Sequence, residues 1–241
     1  MFFNQYEKIF YKFGDETKAA VFQNLTLYTD LIDQIKDDLS FYEVVTVQEG
    51  ERPDQVSQRV YGSPAYYWTF YLMNDKLRAQ GWPVDRDQLI EKLKRKFPHY
   101  TLTLRRDISQ TFLINTFVTG NTSSARGKII HRNLDLGQVI VELDDTNVVF
   151  AKDEIVTITS PTTITEQLYG ASYEYLAAKY YVDGSGSRVD FDPLIGPGGL
   201  LTEKTILDDV NQVNDDLRLI RAIRPEYLDK LTSAYVRAVK S

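Results

Sequence analysis

Residues that could take part in catalysis are sparse in this chain. The two histidines, His99 and His131, fall in different predicted elements, and neither has a second base or metal ligand at a useful spacing. The acidic pairs Asp208–Asp209 and Asp215–Asp216 are adjacent in sequence, which is typical of a charged surface. A glycoside hydrolase would need two carboxyl groups that only the fold could bring together. We therefore predict no enzyme, no catalytic residue, no cofactor and no metal.

The segment between Asp183 and Gly199 contains a pattern of oxygen ligands that could suggest calcium. Oxygen-bearing side chains alternate there at Asp183, Ser185, Ser187, Asp190 and Asp192. The twelfth position, where a calcium loop carries a bidentate glutamate, is Leu194. The glycines and prolines of the segment predict a long polar loop instead.

Composition and charge exclude further classes of function. The chain has 241 residues, 43% of them hydrophobic, with a formal net charge of −6 and no cysteine. An acidic protein lacks the basic field of a nucleic-acid binder, and the basic run Lys92–Lys96 suits the end of a predicted helix. The N-terminus does not resemble a signal peptide, and no window reaches the length of about eighteen apolar residues that marks a membrane span. We expect a globular protein that is made and assembled in the cytoplasm.

The segment EGERPDQVSQRVYGSPAYYWTFYLMND, residues 49–75, combines helix signals with many aromatic rings. A strand is predicted just before it at Tyr42–Val47. Pro53 can open a helix and Gly62 can end it. Ser63–Pro64 supplies the cap and first position of a second helix, from about Ala65 to Asn74.

The second predicted helix carries more rings than one buried face can hold. Five large rings occupy six positions: Tyr66, Tyr67, Trp68, Phe70 and Tyr71. A core-facing stripe is about 100° wide, so most of these rings are expected in the core and one or two on a second surface.

This order of elements resembles the LysM-like module of a small baseplate wedge protein family from T-even-type contractile-tailed phages, the family of gene product fifty-three. The resemblance is carried by a strand, G-E-R-P-D, a helix, V-Y-G-S-P, a Y-Y-W helix and N-D. A second motif of that family, N-x-x-L/K-R-x-I-x-x-I-x-P-x-Y-L, is matched by Asn214, Leu217, Arg218, Ile220, Ile223, Pro225, Tyr227 and Leu228.

The resemblance implies a structural subunit that joins neighbouring wedges through protein contacts in a sixfold tail baseplate of the virion. The implied partners are large wedge-core proteins and a sheath-initiator-like subunit, with no nucleic acid and no membrane. A LysM-type module that binds cell-wall glycan is the alternative, because a tyrosine-rich helix permits sugar stacking. A standard LysM module returns quickly to a second strand, whereas here a helix over Arg86–Phe97 precedes the next predicted strand, Tyr100–Leu104.

The side chains predicted to contact a partner come from both motifs and from the N-terminus: Phe2, Phe3, Tyr61, Tyr66, Tyr67, Trp68, Arg218, Tyr227 and Tyr235. The aromatic N-terminus is expected either to pack on this chain or to lie along a neighbouring subunit as an assembly arm. An amphipathic helix is predicted from Leu27 to Leu39.

The middle of the chain changes to strand-like runs, at Thr111–Thr119, Lys128–Arg132, Gln138–Leu143 and Ile155–Thr159. FLINTFVT from Phe112 and FAKDEIVT from Phe150 form a faint internal repeat, and VTGNTSSARGKII resembles a small β module recurrent in phage structural proteins. These runs predict an inserted all-β barrel or sandwich that extends the protein toward an extra partner.

The predicted fold class is α+β, a LysM-like helix-strand module with an inserted small all-β domain and flanking helical segments. The predicted domains are an N-terminal aromatic arm and helix (1–41), the LysM-like module (42–106), the β domain (107–165) and a helical C-terminal region with a long Gly/Pro loop (166–241). Helices are predicted from Glu166 through Tyr180 and over Pro225–Val239, the latter with an apolar stripe for docking or for the core.

Overall fold

The structure is a computed structural model that describes residues 8–14, 17–23, 38–159 and 162–240. Its strands are β1 (Lys8–Tyr11), β2 (Ala20–Gln23), β3 (Tyr42–Thr46), β4 (Tyr100–Leu104), β5 (Phe117–Gly120), β6 (Arg126–Asn133), β7 (Gln138–Leu143), β8 (Ile155–Ile158), β9 (Ile164–Tyr173), β10 (Ala178–Val182), β11 (Arg188–Val189), β12 (Thr202–Thr205) and β13 (Leu219–Ile223). Its helices are α1 (Pro53–Tyr61), α2 (Trp68–Met73), α3 (Asp75–Gln80), α4 (Arg86–Lys96), α5 (Ile206–Asp216) and α6 (Pro225–Lys240), with short 3₁₀ turns at Pro64–Tyr66 and Glu174–Leu176.

These elements divide into two units and confirm the α+β fold class. The first unit comprises Met1–Asp85 and Val213–Ser241, and the second comprises Arg86–Gln212. Most of the predicted helix from Leu27 to Leu39 lies outside the described residues, as do Phe2 and Phe3.

The local signals of the aromatic segment act as predicted. Pro53 is the first residue of α1, and Gly62 ends the helix at φ +71°, with its N–H donating to the carbonyl of Gln58 at 3.0 Å. The Ser63 hydroxyl then accepts from the N–H of Ala65 at 3.3 Å. This cap starts a 3₁₀ turn rather than an α-helix, so α2 begins at Trp68, later than predicted.

The two-stranded sheet of the first unit joins the two ends of the chain. β3 pairs antiparallel with β13, which comes from the C-terminal motif, and Val45 lies opposite Ile220. We expected β4 to be the next strand of this module, and that was wrong because β4 pairs with β7 and β9 in the second unit. Both β4 and β13 carry apolar residues at alternate positions, so local pattern does not tell which of them is the partner.

The sheet has an apolar cluster on each face. One cluster contains Tyr42, Leu72, Met73, Ile223, Leu228 and Tyr235. The other contains Val47, Val56, Phe70, Leu77, Leu217, Ile220 and Ala222. Successive side chains of a strand point to opposite faces, which is how neighbours such as Ala222 and Ile223 enter different clusters.

The second unit contains a closed six-stranded antiparallel barrel in the order β4-β7-β6-β5-β8-β9. The barrel interior is filled by buried side chains: Leu102, Leu104, Phe112, Val118, Ile129, Val139, Val141, Phe150, Val156, Ile158 and Leu168. Closure removes the exposed edges that an open sheet of this size would have. The four strand-like runs of the middle segment thus contribute β5 to β8, as predicted, whereas β4 and β9 come from outside it.

The internal repeat has a structural basis in the barrel. Phe112 and Phe150, which begin the two copies, are both buried in the core. Three residues later, Asn115 and Asp153 both adopt positive φ, at 72° and 64°. Asparagine and aspartate tolerate this conformation better than most residues. The copies continue into β5 and β8, which pair with each other, so each copy buries a ring, turns and enters a strand.

A buried carboxylate holds the turn after β5. Glu154 Oε2 accepts from the N–H groups of Ser123 at 3.0 Å and Thr122 at 3.3 Å. Its Oε1 accepts from the Ser123 hydroxyl at 2.9 Å and from the N–H of Ala151 at 2.6 Å. Gly120 is needed beside it, because a Cβ there would lie 2.7 Å from Oε2. Four donors replace the water that this charge loses on burial.

The segment from Glu166 to Tyr180 is not helical, and the prediction of a helix there was wrong. It forms most of β9, a 3₁₀ turn and the start of β10. β9 pairs with both β4 and β8 and thereby closes the barrel. Pairing with strands distant in sequence outweighs a local helical pattern, since sheet stability comes from the cross-strand neighbours.

The predicted long loop from Asp183 to Gly199 begins as a tight turn between β10 and β11. The Asp183 carboxylate accepts from the backbone N–H groups of Ser185 at 2.8 Å and Ser187 at 3.0 Å. A hydrogen bond from the Ser185 hydroxyl at 2.6 Å, and then these backbone bonds, lower the pKa of Asp183. Its oxygens therefore organise the turn, as in an Asx-turn.

The Glu154 network provides a test of barrel stability. We expect Glu154→Ala to lower the free energy of unfolding of the second unit by about 3 kcal/mol, because it leaves buried donors without an acceptor. Glu142→Ala, on the exposed side of β7, is the matched control and should change it by less than about 0.5 kcal/mol. Urea unfolding followed by circular dichroism measures both, and equal losses would contradict the role given to Glu154.

Candidate protein-docking site

The aromatic segment packs against the C-terminal helix α6. The Trp68 ring lies 5.7 Å from the ring of Tyr235, which is 2% exposed. The Tyr66 hydroxyl donates to Asp229 at 3.0 Å, and this bond raises the pKa of Tyr66. The sequence analysis left open whether the apolar stripe of α6 docks on a partner or belongs to the core. At Tyr235 the stripe belongs to the core, and it covers one side of the aromatic segment.

Tyr61, at the end of α1, belongs to the interior of the same unit. Its ring stacks on Phe70 at 5.6 Å between centroids and meets Tyr66 edge to face at 6.0 Å. Burial raises the pKa of Tyr61 to about 12, because the phenolate is poorly solvated there. This tyrosine supports the position of the exposed rings.

Tyr67 is the member of the aromatic segment that faces outward, with 38% of its surface exposed. One helical turn later, Tyr71 is half-buried against Trp82, with 6.0 Å between ring centroids. Burial, and then the neighbouring Tyr67, raise the pKa of Tyr71. Tyr67, Tyr71 and Trp82 are called the aromatic ridge below. Tyr67 is the N-cap of α2, Tyr71 lies within α2, and Trp82 follows α3. Partly exposed rings of this kind are the type of side chain that anchors protein interfaces.

The C-terminal motif fastens the first unit internally. Asn214 accepts from the N–H of Val84 at 2.9 Å and donates to its carbonyl at 3.0 Å. Arg218 donates to the same carbonyl at 3.3 Å and forms ion pairs with Asp215 at 3.3 Å and Glu49 at 3.9 Å. The Arg218 side chain is mostly buried by these contacts.

Tyr227 also has a role within the unit. Its ring meets Phe41 edge to face at 5.3 Å, and its N–H donates to the carbonyl of Arg224 at 2.9 Å in the first turn of α6. The structure thus brings Tyr61, Tyr66, Trp68, Tyr227 and Tyr235 into the first unit's packing and leaves Tyr67 outside it. Contacts of all these residues with a partner stay a prediction.

The first unit also has exposed apolar side chains that lie outside the predicted set of partner contacts. β1 and β2 form a hairpin in which Phe10, 74% exposed, lies opposite Val21. On the two-stranded sheet, Val44 and Leu219 are 64% and 63% exposed. The apolar N-terminus did signal the first of these, but exposure of one face of a sheet depends on what packs against it.

The second unit contains a cavity of about 300 Å³ with side chains of both charges in its wall. Burial raises the pKa of Tyr181 to about 12 and also raises the pKa of Glu203. The Arg105 guanidinium lies 4.2 Å from the ring centroid of Tyr169.

Among the described residues no group of three or more His, Cys, Asp or Glu side chains could hold a metal ion. No helix in the described part of the chain combines the length and apolarity needed to cross a bilayer.

Comparison with known families now gives these elements a context. A family model described as base plate wedge protein 53 matches residues 1–95. Residues 1–95 are similar to base plate wedge protein 53. The matched residues include β3, α1 and α2, so the family resemblance read from the aromatic segment is confirmed. The match ends within α4 and does not cover the barrel or the C-terminal motif.

The name of the matching family describes the kind of protein that residues 1–95 resemble. A base plate wedge protein is a structural component of a phage virion, located in the tail baseplate and associated with other baseplate proteins, and it is not a known enzyme. A search of curated proteins finds no match to this chain.

The two hydrogen bonds between Asn214 and Val84, called the Asn214 clamp below, provide a second stability test. We expect Asn214→Ala to destabilise the first unit by about 2 kcal/mol, because the N–H of Val84 loses its acceptor and the carbonyl of Val84 keeps only the bond from Arg218. Both tryptophans, Trp68 and Trp82, lie in this unit, so tryptophan fluorescence during urea unfolding reports on it alone. Asn211→Ala, on the same helix, is the control and should have little effect; a similar loss for both variants would contradict the Asn214 clamp.

Burial of Tyr61 predicts a loss of stability at alkaline pH. The folded unit holds the phenolic proton more tightly than the unfolded chain, since the pKa rises from 10.0 to about 12. The resulting stabilisation is complete below pH 10 and disappears as the pH rises towards 12. Tyr61→Phe should remove this part of the pH dependence, on the order of 1 to 2 kcal/mol. Urea unfolding by tryptophan fluorescence at several pH values measures it, and Tyr181→Phe, in the second unit, should leave it unchanged.

Proposed function

We propose that this chain is a structural subunit of a contractile-tail baseplate wedge that joins neighbouring wedges through protein contacts in a sixfold baseplate. The observation that carries the proposal is the similarity of residues 1–95 to base plate wedge protein 53. The pairing of β3 with β13 supports it, because the C-terminal motif of the same resemblance completes the unit to which the matched residues belong.

The first unit is a discontinuous LysM-like module in this proposal. Its elements follow the order strand, helix, helix, strand, namely β3, α1, α2 and β13. The two strands are antiparallel, and side chains of both helices reach the apolar clusters on the sheet. The second unit is inserted before the closing strand, and we expect it to extend the protein toward an additional baseplate partner.

The aromatic ridge is the proposed docking surface for a wedge-core protein or a sheath-initiator-like subunit. Tyr67 is the proposed anchor, because its ring is exposed while its neighbours Tyr71 and Trp82 hold the helix surface in place. A large ring that loses water at the centre of an interface contributes more to affinity than scattered polar contacts do. The net charge of −6 disfavours non-specific association with other acidic surfaces.

Glycan binding is the second candidate, favoured by the exposed ring of Tyr67. The turn between β3 and α1 is less open to a sugar, because the chain's own side chains occupy it. The Trp82 indole N–H donates to the carbonyl of Glu51 at 2.7 Å, and Arg59 pairs with the Glu51 carboxylate at 2.8 Å. Protein docking through the ridge therefore has the better support.

Substitutions in the aromatic segment separate docking from folding. We expect Tyr67→Ala to leave the free energy of unfolding within about 0.5 kcal/mol of the parent, since the ring is exposed. Trp68→Ala should cost about 3 kcal/mol, because it removes the ring packed on Tyr235. Urea unfolding by circular dichroism measures both.

The functional readout is assembly. Electron microscopy of the tailed particle from which the chain comes should show it between adjacent wedges, and Tyr67→Ala should reduce its incorporation at least about tenfold, as expected for an anchor residue. A pull-down on peptidoglycan runs in parallel. Retention of the chain on the wall, with no density in the baseplate, would reject the wedge assignment in favour of glycan binding. Full incorporation of Tyr67→Ala would reject Tyr67 as the anchor.

A further inference from the structure

The outer edge of β3 has no paired strand in the described part of the chain, and its geometry follows from the pairing with β13. The N–H of Val47 donates to the carbonyl of Arg218 at 2.8 Å, and the N–H of Arg224 donates to the carbonyl of Phe41 at 2.9 Å. Backbone groups of an antiparallel strand point alternately toward and away from the partner. Because of this alternation, the backbone groups of Glu43 and Val45 face β13. The backbone groups of Tyr42, Val44 and Thr46 face outward.

The corresponding edge of β13 is closed by a side chain. Asn74 accepts from the N–H of Arg221 at 2.9 Å and donates to its carbonyl at 2.8 Å. These two bonds use the outward groups of Arg221, which lies opposite Val44. They also confirm that this pair of residues does not exchange backbone hydrogen bonds across the sheet.

Among the described residues, side chains protect the edge of β3 at its two ends. Arg59 donates to the carbonyl of Thr46 at 3.0 Å, and Arg224 donates through Nε to the carbonyl of Tyr42 at 3.2 Å. Between them, the N–H and the carbonyl of Val44 point away from β13, because Val44 lies opposite Arg221, and no loop or side chain of the described residues caps them. The Val44 side chain is 64% exposed, and so a neighbouring strand can reach this position.

We infer that this edge binds an extended segment of a neighbouring baseplate protein as an added antiparallel or parallel β-strand. The inference rests on the proposed function and names how one of its contacts is made. Strand addition satisfies the open backbone groups, and alternate side chains of the incoming strand pack beside Val44 and Leu219, two exposed side chains on the same face of the sheet.

Charge at the edge specifies the incoming segment further. Arg59 is already paired with Glu51, but Arg224 donates to the carbonyls of Tyr42 and Leu39 and has no carboxylate partner among the described residues. The bound segment therefore carries apolar residues at alternate positions and an acidic residue beside Arg224. A second copy fits less well, because two β3 edges pairing about a twofold axis form a closed dimer and not a ring of six.

A proline at position 44 tests the edge directly. Val44→Pro removes the outward N–H and leaves the hydrogen bonds to β13 intact, and proline is tolerated on edge strands at such positions. The preceding residue is already extended, as proline requires. Val44→Thr retains the N–H and the side-chain shape and is the matched control.

The two variants are compared for folding and for assembly into the tail baseplate. Val44→Pro should unfold at the same urea concentration as Val44→Thr yet be incorporated at least about tenfold less, as for loss of an interface anchor. Equal incorporation of both variants overturns the inference. Dimerisation of the parent chain in isolation, abolished by Val44→Pro, also overturns it, by showing that a second copy occupies the edge.

Hydrogen exchange keeps the inference testable if Val44→Pro does not fold. In the isolated chain the amides of Tyr42, Val44 and Thr46 should exchange rapidly, and in assembled baseplates at least about tenfold more slowly, because they then donate to a partner. Unchanged exchange at these three amides, together with new protection at Tyr67, would reject strand addition and leave the wedge function standing. Absence of the chain from the baseplate would reject the wedge function itself.

Discussion

The antiparallel pairing of β3 with β13 is the interaction on which the first unit depends. It joins Tyr42–Thr46 to Leu219–Ile223 and thereby connects segments separated by most of the chain. Both apolar clusters of the unit use residues from the two strands. Without this pairing, α1 and α2 would have no sheet to cover, and the C-terminal helix α6 would have no apolar surface on which to pack.

A long insertion between paired strands is compatible with stability because the inserted part forms a compact unit of its own. The entropy cost of closing a loop grows slowly with its length, and a folded insert shortens the effective loop. The barrel of the second unit is closed, with its apolar residues in one internal cluster, so it presents no strand edge that could compete with β3 or β13. Asn214 and Val84 then tie the two ends of the first unit together beside the insertion.

The division of the aromatic rings between core and surface follows from the same closure. The helix α6, which follows β13 directly, brings Tyr235 to Trp68 and Asp229 to Tyr66. These rings become part of the packing, and Tyr67, on the opposite side of the turn, stays exposed. A protein that docks through such a ring has an anchor fixed at the start of α2, so little conformational entropy is lost when the partner binds.

Sequence alone determined the local elements, namely the proline at which α1 begins, the glycine that ends it, and most of the strand runs of the barrel. It also determined the family resemblance, which a family model confirms over residues 1–95. It also predicted the surplus of rings, though not which ring is exposed. Only the tertiary structure decided that β13 pairs with β3, that residues 166–180 are strands, and that Tyr67 faces outward. The reason is that caps and turns depend on neighbours within a few residues, whereas strand partners and exposure depend on segments far apart in the chain.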